Sequence, residues 1–454
     1  MSVALESEGV ADSSLQWVAG SLALQQPSRW VNTGEWSVVG QLDELDLAAW
    51  WQAYQTHIAP LVDTSDGAAG KLRPKVNLRV KHGQWYDVSL NDATLDFQFL
   101  RQSATTSVAT PWRLRLTSEQ LAGQIDYLGL QDPLDVQVDY ANFNFPESDT
   151  DDNTDLLEHL DPSALPDANV RIDELVKNGE SFGQWQFKTR RQADQVNVHD
   201  LEAFIRHAHL QGNLIWSKVD GLHQTQFTGR VSTSDIANML IDWGYGASVS
   251  AQTAAIEVQI EWPHSPLAFA LKEVAGDIGL RLKQGRFAES LDGAGGLKIL
   301  ALMDMTRLMN RVKLDFSDVI KPGFSFDSIN AHYRFNQGVA QTVAPLALKS
   351  SSLNLTMNGW IDFKQRLVDN NLVVTLPVAD KLPLAALIAG LPQLSGVIYI
   401  ANKLIGDELA TFTSARYQVS GSLDQPQVEL VKIFDKDYQN QSVQERLENA
   451  ISID

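Results

Sequence analysis

Ile256-Glu257-Val258-Gln259-Ile260-Glu261-Trp262 puts an apolar side chain at every second position with a carboxylate or amide between. Successive side chains of a β-strand point to opposite faces, so this stretch reads as a strand with one apolar and one polar face. The same alternation recurs in Val76-Asn77-Leu78-Arg79-Val80, Thr94-Leu95-Asp96-Phe97-Gln98-Phe99, Leu134-Asp135-Val136-Gln137-Val138-Asp139-Tyr140 and Leu353-Asn354-Leu355-Thr356-Met357-Asn358. Gly or Asn/Asp clusters separate many of these runs, the pattern of meandering antiparallel strands. The expected fold is mainly β with short helices, of the α+β class. The apolar face of such a sheet has to be covered by something.

Composition narrows what can cover it. The chain has 454 residues, 44% of them hydrophobic, enough to bury a large core. Its 36 Lys+Arg against 56 Asp+Glu leave a formal charge of -20, the opposite of the basic footprint that nucleic acid requires. The same balance disfavours electrostatic attraction to anionic membranes and leaves apolar contact with lipid open. With no cysteine, disulfides, thiol catalysis and cysteine-based zinc sites are excluded. Met1-Ser2-Val3-Ala4-Leu5-Glu6 lacks the basic and apolar regions of a signal peptide. No stretch offers about 20 consecutive apolar residues. Leu382–Asn402 has no charged residue, but Pro383, Gly390, Pro392 and Gly396 break it into two short helices with a turn.

An internal repeat organises the first part. Gly40-Gln41-Leu42-Asp43-Glu44-Leu45-Asp46-Leu47-Ala48-Ala49-Trp50-Trp51 matches Gly229-Arg230-Val231-Ser232-Thr233-Ser234-Asp235-Ile236-Ala237-Asn238-Met239-Leu240. Each copy reads as a strand end, a Gly and a short helix, with Asp46 and Asp235 in the helix opening, where acidic side chains suit the dipole. The acidic run Pro146–Asp155 has nothing to bury and reads as a linker. The expected organisation is a β unit over 1–145, a linker over 146–160, a second unit over 161–275, a third over 276–434 and a polar tail over 435–454.

Catalytic constellations are missing. His207-Ala208-His209 would put two imidazoles on one strand face, with His199 and His223 near in sequence, but no third metal ligand is fixed by spacing. Strand histidines that face solvent or accept ordinary hydrogen bonds account for them. Asp149, Asp151, Asn153 and Asp155 alternate like a calcium loop, yet Thr154 stands where its Gly belongs and Leu160 where its Glu belongs. Gly246-Ala247-Ser248-Val249-Ser250 lacks the last Gly of a nucleophile elbow, and Gly293-Ala294-Gly295-Gly296-Leu297-Lys298 lacks phosphate-loop spacing. No enzyme activity, metal or cofactor is expected. A hydrolase would need a pocket joining His207, His209 and a carboxylate.

The apolar features carry more. Leu297, Leu300, Met303, Met305, Leu308 and Met309 give a wide apolar surface broken only by Lys298, Asp304 and Arg307. Met adapts to varied partners, acyl chains included, and a core helix packed on its sheet has the same pattern. Trp17, Trp36, Trp85, Trp185, Trp216 and Trp262 fall in strand-like stretches, where they either line an apolar face or fill a core.

The order of segments in the last third resembles the C-terminal region of the YhdP-type, AsmA-like envelope proteins. Gly276–Phe287 is similar to the family's paired-Gly strand hairpin, Leu300–Met309 to its apolar helix, and Leu314-Asp315-Phe316-Ser317-Asp318 to the sequence after that helix. Gly323-Phe324-Ser325-Phe326-Asp327, Gly359-Trp360-Ile361-Asp362-Phe363, Val374-Thr375-Leu376-Pro377, the apolar Leu382–Ile405 and Tyr417–Pro426 follow in the family's order. The family's Pro-Gly before the helix is replaced by Ala294-Gly295-Gly296.

The resemblance implies an elongated, curved antiparallel sheet forming an apolar groove, with apolar helices near its C-terminal end. It implies phospholipid transport between the inner and outer membranes of a Gram-negative envelope. Phospholipids and both membranes would be partners, with other envelope proteins alongside them and no nucleic acid. The location would be the periplasm, with an inner-membrane anchor in a transmembrane segment that this chain does not contain. The candidate lipid-facing residues of such a groove are the apolar positions of the alternating strands: Ile256, Val258, Ile260, Phe324, Phe326, Tyr333, Phe335, Leu353, Leu355 and Met357. Leu297, Leu300, Met303, Leu308, Leu387, Ile388, Ile398 and Leu404 would plug the groove end or touch a membrane. A charge at Leu355 would be expected to reduce bound lipid without unfolding the chain. The alternative is an envelope assembly protein that binds protein partners through the same sheet.

Overall fold

The computed structural model describes residues 2–9, 15–28, 36–47, 49, 74–85, 88–100, 111–129, 132–143, 155, 157–243, 247, 249–287, 324–351, 353–375, 414–423 and 426–433. They form 23 strands and one complete α-helix, so the chain is mainly β, as the alternation predicts. It divides into two compact units, Met1–Ile205 with Ile215–Lys218, and Arg206–Leu214 with Val219–Asp454.

The first unit contains β1 (Ser2–Gly9), β2 (Leu15–Leu24), β3 (Trp36–Asp46), β4 (Pro74–Trp85), β5 (Val88–Phe99), β6 (Trp112–Thr117), β7 (Leu121–Tyr127) and β8 (Leu134–Phe143). After them come β9 (Ala168–Ile172), β10 (Leu175–Lys177), β11 (Glu180–Ser181), β12 (Gln184–Gln192) and β13 (Gln195–Ile205). Most neighbours are antiparallel. The pairs β2–β3, β3–β4, β8–β9 and β8–β10 are parallel. Parallel neighbours need long connections, and residues 47–73 and 144–167 supply two of them.

The helix-opening positions of the repeat behave alike. Asp46 Oδ1 accepts from the Ala49 backbone N–H at 2.9 Å, and Asp235 Oδ1 accepts from that of Asn238 at 3.3 Å. The glycines do not end their strands. Gln41 faces Arg79 and Leu42 faces Val80, so β3 stays paired until Asp46.

The second unit contains β15 (Leu222–Thr233), α1 (Ile236–Asp242), β16 (Val249–Trp262), β17 (Ala275–Phe287), β18 (Ser325–Asn336), β19 (Val339–Lys349), β20 (Asn354–Asp362), β21 (Leu367–Thr375), β22 (Ser414–Ser422) and β23 (Gln427–Ile433). β14 (Ala208–Val219) contributes to both units. From β15 to β23 each strand pairs antiparallel with the next. Asp220-Gly221 and Gln337-Gly338 make two-residue turns with both φ angles positive, matched to the twist of the flanking strands. Gly276–Phe287 is one continuous strand and not a hairpin, because it pairs along its length with β16 on one side and β18 on the other. The connections from β17 to β18 and from β21 to β22 leave one rim, where Arg286 faces Ser325 and Thr375 faces Ser414.

Asp235 caps α1. Hydrogen bonds from the Asn238 side chain and then its backbone N–H hold the Asp235 carboxyl below the usual range. A depressed carboxyl stabilises the fold above its unfolded pKa, and that contribution is lost as pH falls through the folded value. Asp235→Ala is therefore expected to lower the melting temperature at pH 7. The gap to the parent should close below about pH 4, the ordinary range for Asp. A gap that stays constant down to acid pH would show that the ionised carboxylate is not the source of the cap's contribution.

Candidate functional site: the apolar sheet face

Directly opposed residues on neighbouring strands share a sheet face, so register turns the sequence alternation into two surfaces. In the first unit one row runs Val38, Val76, Phe97, Leu114, Ile125, Val136, Val170 and Phe187, each opposite the next. All eight are half-buried. Trp112 stacks on Tyr127 with ring centroids 5.5 Å apart, and Phe97 lies 5.7 Å from Trp112.

One residue along each strand, the adjacent row runs Asn77, Asp96, Arg115, Gln124, Gln137, Arg171 and Gln186. Its members bond to one another, Arg115 to Gln124 at 3.2 Å and Gln124 to Gln137 at 3.4 Å. Arg113 forks onto Asp126 at 2.6 and 2.7 Å on the same polar side. The sheet thus has one hydrocarbon surface and one hydrogen-bonded surface.

The second unit repeats the arrangement. Ile256, Leu280 and Ala331 are opposed, as are Val258, Ile278 and Tyr333, and Ile260, Gly276 and Phe335. A longer row runs Ala254, Leu282, Ile329, Leu348, Leu355 and Val374. The polar side carries Gln259, Asp277, Arg334, Gln341, Trp360, Asp369, Ser420 and Gln427. There Asp277 accepts from Arg334 Nε at 3.2 Å and lies 3.1 Å from His332 Nε2.

The groove candidates divide by burial. Ile256, Val258, Phe324 and Tyr333 are half-buried, whereas Ile260, Phe326, Phe335, Leu353, Leu355 and Met357 are buried. Burial pushes the Tyr333 phenol up to about 12. Phe324 and Phe326 pack around Phe287, with centroids 6.3 and 5.3 Å away. Leu297, Leu300, Met303, Leu308, Leu387, Ile388, Ile398 and Leu404 lie outside the described residues. Sequence reasoning passed over the half-buried row of the first unit, although the same alternation marked Phe97 and Val136.

Trp216 and Trp262 are buried, Trp36 and Trp185 half-buried. Trp262 Nε1 donates to Ser265 O and Trp185 Nε1 to Phe182 O, both at 2.9 Å. His207 and His209 do not share a strand face. His207 sits in the turn before β14 with φ 65 and meets Asp242 Oδ2 at 2.6 Å, while His209 lies in the strand. Among the described residues no three His, Cys, Asp or Glu side chains converge on a metal site. No helix among them is long and apolar enough to cross a membrane.

A mainly β chain whose strands present one hydrocarbon face and one polar face is of the β-groove class. The chain belongs to the YhdP family: the family model described as YhdP protein matches residues 4–428. It is 23% identical over 271 residues to the intermembrane phospholipid transporter YhdP of Escherichia coli (strain K12), covering 60% of this chain and 21% of that protein. The chain thus spans about a fifth of the length of the curated relative it matches. That relative is described as a transporter, not as an enzyme. No solved structure matches.

Proposed function

We propose that this chain is a non-enzymatic phospholipid-carrying module of a longer envelope protein, with acyl chains lying along the apolar sheet face. Transfer would run between the inner and outer membranes, in the periplasm, with the anchor elsewhere in the longer protein. The observation that carries the reading is the half-buried apolar row of the first unit. Eight directly opposed hydrocarbon side chains are neither sealed by protein nor broken by a polar residue. Monomeric proteins seldom leave a contiguous surface of this kind unless it binds something. Acyl chains fit it, and headgroups left in water need no basic pocket, which tolerates the charge of -20.

Native mass spectrometry of the purified chain, followed by lipid extraction, tests this. Co-purified phospholipid at more than one molecule per chain is expected. A lipid-free, folded, monodisperse chain would overturn the reading and favour an assembly protein that binds protein partners through this face.

A further inference from the structure

We infer that Trp112 marks the rim of the first unit along which the polar ends of bound glycerophospholipids leave the apolar face, its indole N–H donating to an ester carbonyl or phosphate oxygen of the lipid. The inference rests on the lipid-carrying reading above.

Phe99 faces Trp112, and Trp112 faces Tyr127. Each ends its strand: Phe99 is the last residue of β5, Trp112 the first of β6 and Tyr127 the last of β7. Each also stands two residues along from a member of the half-buried row, Phe97, Leu114 or Ile125, and so on the same sheet face. At this rim the apolar face therefore finishes in three half-buried aromatic rings. The rings pack on one another and on the row. Phe99 meets Phe97 edge-on at 5.1 Å, beside the contacts of Trp112 with Phe97 and Tyr127.

An indole has one polar atom, a donor, and it normally finds an acceptor when buried. Trp185 and Trp262 follow that rule by donating to backbone carbonyls. Trp112 Nε1 has no acceptor among the described residues, and it is not sealed from water. A ring packed on hydrocarbon with its N–H open is the arrangement of tryptophan at the boundary between acyl chains and headgroups.

The opposite ends of these strands are closed. Leu90 is 1% exposed, Ala93 2% and Ser118 5%. The Tyr140 hydroxyl donates to Ser118 O, and Ser118 Oγ donates to Leu121 O at 3.0 Å. The fold consumes the polar groups there, whereas the aromatic rim keeps a donor in reserve. An acyl chain has no acceptor for it. The ester carbonyls and phosphate that begin where the chains end do have one, and the headgroup beyond them stays in water.

The test follows the indole N–H signals of the isotope-labelled full chain by nuclear magnetic resonance, one signal for each of its twelve tryptophans. Trp112→Phe identifies the Trp112 signal by its loss, and Trp112→Tyr does so if the first variant does not fold. The chain is loaded from vesicles of dioleoyl phosphatidylcholine, and native mass spectrometry reads the bound lipid. In parallel samples part of that lipid carries a nitroxide, either on the choline or near the end of an acyl chain. Loading should move the Trp112 signal downfield, and the choline nitroxide should broaden it more than the acyl nitroxide does. Loading of Trp112→Phe should fall about three- to tenfold, the ratio one hydrogen bond supports. A lipid-loaded chain whose Trp112 signal does not move, or is broadened at least as much by the acyl nitroxide, would overturn the rim and leave the carrier reading standing. A parent that loads no lipid would overturn both.

Discussion

Leu355→Asp is expected to unfold the second unit and not merely to empty it of lipid. Leu355 is 1% exposed and lies between Leu348, also 1%, and Val374, 2%. Truncating such a leucine to alanine costs about 2–5 kcal/mol. A carboxylate adds the penalty of a buried charge with no partner, several kcal/mol more. Whole domains are stable by only about 5–15 kcal/mol, so the sum approaches the total. Urea denaturation of Leu355→Ala and Leu355→Asp beside the parent measures it. A Leu355→Asp midpoint close to the parent's would mean that water reaches this position. The sequence alone leads to the other expectation, lipid loss without unfolding, because alternation tells which face Leu355 is on, not how deeply it is covered.

The better probe of lipid carriage is in the first unit. Ile125 is half-buried in the middle of the apolar row, opposite Leu114 and Val136. An aspartate there keeps much of its hydration while the face is empty, so folding should lose little. Acyl chains laid against it would strip that water, at a cost of at least about 1.4 kcal/mol, or tenfold in occupancy. Ile125→Asp should therefore reduce bound lipid at least tenfold, with the melting curve nearly unmoved. Gln124→Asp is the matched control, because the adjacent residue lies in the polar row. Equal lipid loss in both variants, or none in either, would remove the apolar face from the transport pathway.

These two probes mark how far the sequence could be read. Strand type was legible in stretches such as Ile256–Trp262 because period-two alternation is a local property. The family was legible in the order of segments from Gly276 onward. Register was not, because a one-residue slip inverts the face and pairing partners lie far apart in sequence. The row through Phe97, Leu114, Ile125 and Val136 exists only once four strands are aligned. The parallel pairs were hidden for the same reason, since a strand's direction relative to its neighbour leaves no mark in its own residues. The candidate metal pair failed on a local detail: Arg206 and His207 both take positive φ, which ends the strand before His207.

The common rim of the second unit bears on the order in which its strands come together. β15 joins β14 through two residues, Asp220-Gly221, and β19 joins β18 through Gln337-Gly338. β17 and β18, and likewise β21 and β22, are equally close neighbours, yet residues 288–324 and 376–413 separate them in the chain. Closing such a loop costs about 2–3 kcal/mol more entropy than closing a two-residue turn. The strands joined by short connections should therefore zip within microseconds to milliseconds as three blocks, β14–β17, β18–β21 and β22–β23. Their docking along β17–β18 and β21–β22 then sets the folding rate. Until docking, both edges of the middle block are unpaired, and during synthesis those edges are the part of this chain most exposed to mispairing with another copy.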